Sequence, residues 1–560
     1  MTNRLAPVAA VREAYRRIRS AGRSSVWISM VPEHEALAWA ETLDPSLPLA
    51  GRTFAVKDNI DVTGMPTTAG CPAFAYEPGE SAPVVDRLVA AGAILVGKTN
   101  LDQFATGLVG TRSPYGIVAN SIDPRYVAGG SSSGSAVAVA LGLVDFALGT
   151  DTAGSGRVPA AFNGIVGLKP TPGLLSTRGV VPACRSLDCV SIFARTVGDA
   201  WNVLVASAGF DKGDPYSSAA SWAPAAPPGS LRLAVPSVAQ LGLTPELADA
   251  FARAVDRLSG LVASTIDVDL EPYFAAGNLL YGGGLVAERY ASVGAFVDAH
   301  PSEVDPVVGR IISTAGLMRA DRMAADLDRL RSLRRTVDLL WNEFDALVLP
   351  TAPFHPRVAE VLAEPVDVNS RLGRFTTFCN PLSLAALAVP AALLPTGLPF
   401  GVTLYGPPLS DATLARLGAA MGGELAPDMP AASGRIRLAV VGAHLTGEPL
   451  NGQLRERNAT LVAQTSTAAA YQLFALDTVP PKPGLVRVRS EGRSIDVEVW
   501  ELGVAEFGDF VAQVPMPLGI GQVELVDGAT VAGFICTPDG LRNALDITHH
   551  GGWKAYLASR

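Results

Sequence analysis

Cysteine, histidine and long apolar runs are scarce in this chain, and each scarcity excludes something. Its five cysteines, Cys71, Cys184, Cys189, Cys379 and Cys536, fall without CxxC spacing. That argues against a disulfide framework and points to reduced thiols in a cytoplasmic protein. The six histidines are mostly dispersed, and the adjacent His549-His550 reads as a surface pair, so no metal is expected. The longest apolar run, roughly Ala136 to Leu148, is interrupted by Asp145 and is too short to span a bilayer. Met1-Thr2-Asn3-Arg4-Leu5 lacks the apolar segment of a secretory leader. Basic excess is missing too. Lys and Arg number 44 against 53 Asp and Glu, a formal charge of -9, so neither a nucleic acid nor a membrane surface gains support as partner. The expectation is a soluble intracellular protein.

What is present suits a large core. The chain has 560 residues, 48% of them apolar and 17% charged, enough for two or three units. Residues 8–22 read as an amphipathic surface helix carrying Arg12, Arg16, Arg17 and Arg19. From 50 to 200, β-type runs at 54–56, 93–96 and 146–149 alternate with helical segments such as 81–91, which predicts an α/β sheet covered on both faces. Residues 245–345 read as mostly helical, and late strands are expected at 346–350 and 401–405. The Pro/Ala/Ser/Gly stretch 426–434 is the best linker. Strand-like runs at 436–442, 471–476 and 494–500 then mark a smaller α+β domain. The expected domains are 1–428 and 435–560. Gly92 to Thr99 fits a phosphate-loop spacing, but its interior, Ala-Ile-Leu-Val, reads as a buried strand. No cofactor is expected.

The chemistry lies in two serine-bearing glycine stretches, Gly129-Gly130-Ser131-Ser132-Ser133-Gly134-Ser135 and Asp151-Thr152-Ala153-Gly154-Ser155-Gly156. Converging backbone N–H groups and a following helix start make such turns anion-friendly. Upstream, Lys57 sits in the apolar run Thr53 to Ile60. A buried lysine favours its neutral amine and can serve a serine nucleophile as base. Taken singly, Lys57 reads as a strand-end lysine reaching water, and 129–135 as a flexible loop. Taken together, with Gly97-Lys98-Thr99-Asn100 and Gly167-Leu168-Lys169-Pro170-Thr171 in order around them, they resemble the amidase signature family over roughly residues 50–420. Ser133 stands where that family often has glycine. The resemblance implies a three-layer α/β/α fold with a mixed sheet and a Ser–cisSer–Lys triad. Ser155 is then the nucleophile, Ser131 the bridging serine at a cis non-proline peptide, and Lys57 the base. It also implies an oxyanion hole from the N–H groups of Thr152, Ala153, Gly154 and Ser155.

Two further likenesses narrow the substrate. Leu279 to Tyr290 resembles the allophanate hydrolase segment in which a tyrosine and an arginine grip a carboxylate, here Tyr281 and Arg289. Eight positions are just over two helical turns, which puts both on one face if the segment is a helix. The family's usual Gly-Pro-Trp is Gly283-Gly284-Leu285 here. The tail, through Val440 to Leu445, Pro449 to Asn451, Tyr471 to Leu473, Lys482 to Leu485, Pro517 to Gly521 and Gly551 to Trp553, resembles the C-terminal domain of the same hydrolases. That implies a γ-glutamyl-cyclotransferase-like fold. The implied reaction turns allophanate into N-carboxycarbamate and then ammonia and carbon dioxide, with His444 as the tail's acid/base candidate and Glu524 a weaker one. The setting would be urea breakdown or s-triazine and biuret breakdown. Expected partners are a small-molecule substrate, a second copy in a homodimer, and a functional link to a urea carboxylase. The rivals are another amidase-signature hydrolase, an amidotransferase A-type subunit working with a tRNA-acting partner, and a non-catalytic binding scaffold.

Overall fold

The computed structural model describes residues 6–559 except 221, 224, 428–434, 458 and 479. The chain divides into two compact units, Met1–Met429 and Pro430–Arg560. Seven of the nine linker residues expected at 426–434 lie outside the described set. No helix among the described residues is long and apolar enough to cross a membrane.

The first unit is built on an eleven-stranded mixed sheet. Its functional end comes from three parallel neighbours, Ile94–Thr99, Thr53–Lys57 and Phe146–Asp151. Every residue of these strands is buried. Their near-continuous apolar sequence follows from that, because a strand covered on both faces has no polar side to alternate with. Trp27–Met30 closes one edge antiparallel to Ile94–Thr99. On the other side the sheet continues through Cys189–Ala194, Val166–Lys169, Ala385–Leu393, Pro399–Gly406 and Ala346–Pro350. The phosphate-loop spacing at 92–99 is thus occupied by a buried strand.

One local expectation holds with an addition, and another needs correction. The span 245–345 is helical at Pro245–Ser259, Glu271–Tyr281, Ala287–Ala299, Pro306–Ala315 and Ala320–Leu340, but Ser264–Asp267 is an edge strand paired with Arg232–Val235. Four largely exposed residues leave no burial pattern to read. The second concerns Tyr281 and Arg289. Their segment is not one helix, because the chain breaks at Gly282-Gly283 and passes through a 3-10 turn at Gly284–Val286.

The second unit carries a five-stranded sheet ordered Thr460–Ser466, Asp496–Gly503, Arg435–Val440, Thr530–Cys536 and Leu518–Glu524. A three-stranded sheet is formed by Lys482–Arg487, Tyr471–Leu476 and Leu545–Asp546. Leu438, Val440, Leu473, Leu485, Val499, Leu502 and Trp553 fill its core. Helices Val504–Ala512 and Trp553–Ala558 complete a β-rich α+β unit.

Candidate active site

Two of the parallel strands end in polar residues, Lys57 on one and Thr150-Asp151 on the other. Such carboxyl ends are where open α/β sheets place their ligands. Lys57 is fully buried. Its Nζ lies 2.8 Å from Ser131 Oγ and 2.7 Å from Thr150 Oγ1. Asn59 Nδ2 also donates to Thr150 Oγ1 at 3.3 Å. Burial pulls the amine down to about 7, while Asp102, Asp188 and Asp151 pull the other way without prevailing. An amine at that value is largely neutral above pH 7 and can take up a proton.

Ser131 precedes the buried helix Ser133–Ala140, and the Gly130–Ser131 peptide is cis. Glycine at 130 is required by space, since a Cβ there would collide with the Asp102 carboxylate. That carboxylate accepts from the N–H groups of Val109, Gly110 and Arg112, which pins the neighbouring loop.

Ser155 sits in the turn between Phe146–Asp151 and the short helix Val158–Phe162, and is buried. Asp151 builds this turn. Its carboxylate accepts from Gly154 N–H at 2.9 Å, Gly156 N–H at 3.0 Å and both Nε and Nη2 of Arg157 at 2.9 Å. Arg157 also donates to Tyr405 Oη and to the Thr376 carbonyl. Removing either partner of such a sealed pair would strand a buried charge. Gly154, at φ 130, leaves no room for a Cβ against Thr376. Its N–H departs from the expected oxyanion role, because Asp151 already occupies it. Among the described residues no protein acceptor takes the N–H groups of Thr152, Ala153 or Ser155. No hydrogen bond joins Ser131 and Ser155 among them either. Ser133 Oγ is buried and unpartnered.

Tertiary structure reunites what the helix break separates. The Arg289 guanidinium lies over the Tyr281 ring, 5.4 Å from its centroid. Tyr281 in turn lines a cavity of about 780 Å³ together with Phe274, Asn278, Phe354 and Arg374. Arg289 is 2% exposed, and its Nη1 donates to Thr106 Oγ1 at 2.8 Å. Its Nε has no partner, and no carboxylate pairs with it among the described residues.

Three polar residues here escaped the sequence reading. Thr106 holds Arg289 and follows Phe104 and Ala105, both left-handed at φ 51 and 52. Each costs about 1 kcal/mol or more for a non-glycine residue. The Phe104 ring, edge-on to Phe74 and Phe296, supplies compensating contacts. Arg112, also buried, donates to the Thr106 carbonyl at 2.8 Å. Asp188 accepts from Thr152 Oγ1 and from the N–H groups of Ala183 and Cys184, and burial pushes it up to about 6. None of the three sits in a periodic or glycine-rich pattern that would flag it.

In the second unit His444 follows the strand Arg435–Val440. Its ring stacks on Phe534 at 5.0 Å, and its Nε2 faces Gln453 Oε1 at 3.0 Å. Burial lowers its pKa. Glu524 is elsewhere, half-buried and paired with Arg487 at 2.6 Å. His549 and His550 stack on each other. Among the described residues no group of three or more His, Cys, Asp or Glu side chains is placed to hold a metal ion.

A sequence model of the amidase family matches residues 9–415, and one described as the allophanate hydrolase C-terminal domain matches 436–558. The allophanate hydrolase of Kluyveromyces lactis is 41% identical in its solved structure, with a TM-score of 0.74 over 99% of this chain and 97% of that one. This chain belongs to the amidase family, in its allophanate hydrolase branch. The urea amidolyase of Lachancea kluyveri is 44% identical over 96% of the chain, which spans only 32% of that longer relative. The A-type subunit of the glutamyl-tRNA(Gln) amidotransferase from Halobacterium salinarum is 36% identical over 67% of the chain and 95% of its own length.

Proposed function

We propose that this amidase-family chain hydrolyses allophanate, which is urea bearing a carboxylate on one nitrogen. The observation that carries the reading is Arg289: a buried guanidinium without a carboxylate partner among the described residues, in the unit that also seals Lys57 against Ser131. A buried charge left unpaired is costly and calls for an anion. Arginine's planar fork suits a carboxylate, and Tyr281 adds a hydroxyl. In this reading neutral Lys57 takes the Ser155 proton through Ser131. Ser155 then attacks the carbamoyl carbon, and the proton returns to the departing nitrogen as ammonia leaves. The N–H groups of Thr152, Ala153 and Ser155 receive the oxyanion, each such donor being worth about 3 kcal/mol of barrier. Water then frees N-carboxycarbamate.

The second unit completes the reaction. The C–N bond of N-carboxycarbamate breaks, its electron pair stays on nitrogen, and nitrogen gains a proton. Carbon dioxide and carbamate result, and carbamate breaks down to ammonia and carbon dioxide. His444 is the group that would hold that proton.

The same proposal includes a cytoplasmic location, in keeping with five buried unpaired cysteines, a homodimer, and a functional link to urea carboxylation. The amidotransferase alternative leaves about a third of the chain unaccounted for. The deciding experiment is ammonia release with allophanate, biuret and glutamine side by side. Allophanate should be the preferred substrate, and Ser155→Ala should abolish turnover while the thermal midpoint stays within a few degrees. Equal turnover by Ser155→Ala, or a preference for glutamine, would remove the proposal.

A further inference from the structure

One face of a single helix forms a wall of the cavity of about 780 Å³ that Tyr281 lines. Glu271, Phe274, Asn278 and Tyr281 all reach it from the helix Glu271–Tyr281. Positions 274, 278 and 281 are spaced by four and three, which stacks them on one side of a helix. Each aromatic ring of that face seats a guanidinium. Arg289 lies over Tyr281, and Arg374 lies over Phe274 at 5.0 Å from the ring centroid. Seven residues at about 1.5 Å each put the two seats about 10 Å apart along the helix. Gly277 lets this helix lie close against the segment that follows Arg374, since a Cβ there would collide with Thr377 Oγ1. Arg374 is exposed and lines the cavity, and its Nη2 donates to the Gln240 carbonyl at 3.0 Å. Among the described residues no carboxylate pairs with it, whereas Arg371, in the same wall, has Asp367 at 3.8 Å. Glu271 is the only carboxylate in the lining among the described residues. The wall therefore carries two cations against one anion, in a chain whose formal charge is -9.

We infer that Arg374 is a specificity-determining residue: an outer cation that draws small anionic amides into the cavity and passes them along the Phe274–Tyr281 face to Arg289. A separation of about 10 Å is close to the screening length at physiological salt, so an anion at the outer seat still feels the inner one. A cavity wall of one charge sign raises the local concentration of its counter-ion. The ring contact uses the flat face of the guanidinium and leaves its in-plane N–H groups for a carboxylate. Exposure keeps the hold of Arg374 weak, while the buried Arg289 attracts the same carboxylate through a lower dielectric. The carboxylate thus moves inward. This deepens the reading of Arg289 given above and rests on it: charge is selected on entry, before the carbamoyl group reaches Ser155.

The test is the salt dependence of ammonia release by the full chain carrying Arg374→Gln, whose amide keeps a donor for the Gln240 carbonyl. At about 0.02 M salt KM for allophanate should rise about fivefold, with kcat held within about twofold. At about 0.5 M salt variant and parent should converge. KM for malonamide, which is neutral, should not move at either salt, and Arg374→Lys should keep most of the parent's low-salt KM. An unchanged KM for allophanate at low salt would overturn the inference. So would a loss that persists at high salt or falls equally on malonamide, since either marks a packing role. The unaltered chain separates the two failures. If it releases no ammonia from allophanate, the proposed function falls and this inference with it; if it does, while Arg374→Gln matches it at low salt, only the role of Arg374 falls.

Discussion

The Lys57 site and the His444 cavity each present a nitrogen base whose proton affinity burial lowers, and the two start from very different values. Lysine starts at 10.5 and must be forced down by complete burial. It is therefore sealed at a strand end among hydroxyls, beside a turn and a loop tied by the Asp151 and Asp102 carboxylates. Imidazole already titrates near neutrality. It needs only partial burial and sits on a turn beside an accessible cavity. The stronger the base to be neutralised, the more of the fold is committed to excluding water from it.

That contrast can be broken at four points, in falling order of effect. Lys57→Met should cost about 10²- to 10⁴-fold in kcat, the usual worth of a general base. It should also erase the rise of activity with pH through about 7 that deprotonation of Lys57 predicts. A retained rise in the residual activity would locate the titrating group elsewhere. Arg289→Ala should raise KM for allophanate by roughly thirtyfold or more, from about 2 kcal/mol of lost charge pairing. Neutral malonamide should be nearly unaffected, and a uniform loss on both substrates would count against the carboxylate grip.

Thr106→Val should act in the same direction but less, about tenfold at most, because it only frees the guanidinium that Thr106 holds. Thr106→Ser should restore the parent KM, and failure of that rescue would assign Thr106 a packing role. The smallest effect is on stability. Lys57 has a folded pKa below its unfolded one, so below 10.5 the unfolded chain binds a proton that the folded chain refuses until about 7. Its cost to the fold grows as pH falls across that window and is constant below it. The midpoint advantage of Lys57→Met over the parent should therefore widen from pH 10 to pH 7, and calorimetric scans showing a constant gap would contradict the burial argument.

Much of this was legible in the chain. The strands around Lys57 and Ser155 announced themselves as short apolar runs, and the glycine turns named their own chemistry, since few residues other than glycine tolerate φ 130 at position 154. The tail's separate composition marked its own unit. Less was legible where partners are remote. Tyr281 and Arg289 looked like one helical face, yet Gly282-Gly283 breaks the helix and the 5.4 Å contact is made by folding alone. Thr106, Arg112 and Asp188 carry no local signal, because their importance is defined by what lies across the site. Gly154 was read as an oxyanion donor, but a carboxylate three residues earlier claims its N–H.

The sequence by itself determined which side chains can do chemistry here and which turns can hold them, because nucleophile, base and backbone freedom are properties of residue type and local spacing. Only the tertiary structure decided that Lys57 is dry and that Arg289 has no carboxylate partner among the described residues. Charge state and charge balance depend on every group within a few ångströms, and those neighbours come from distant parts of the chain.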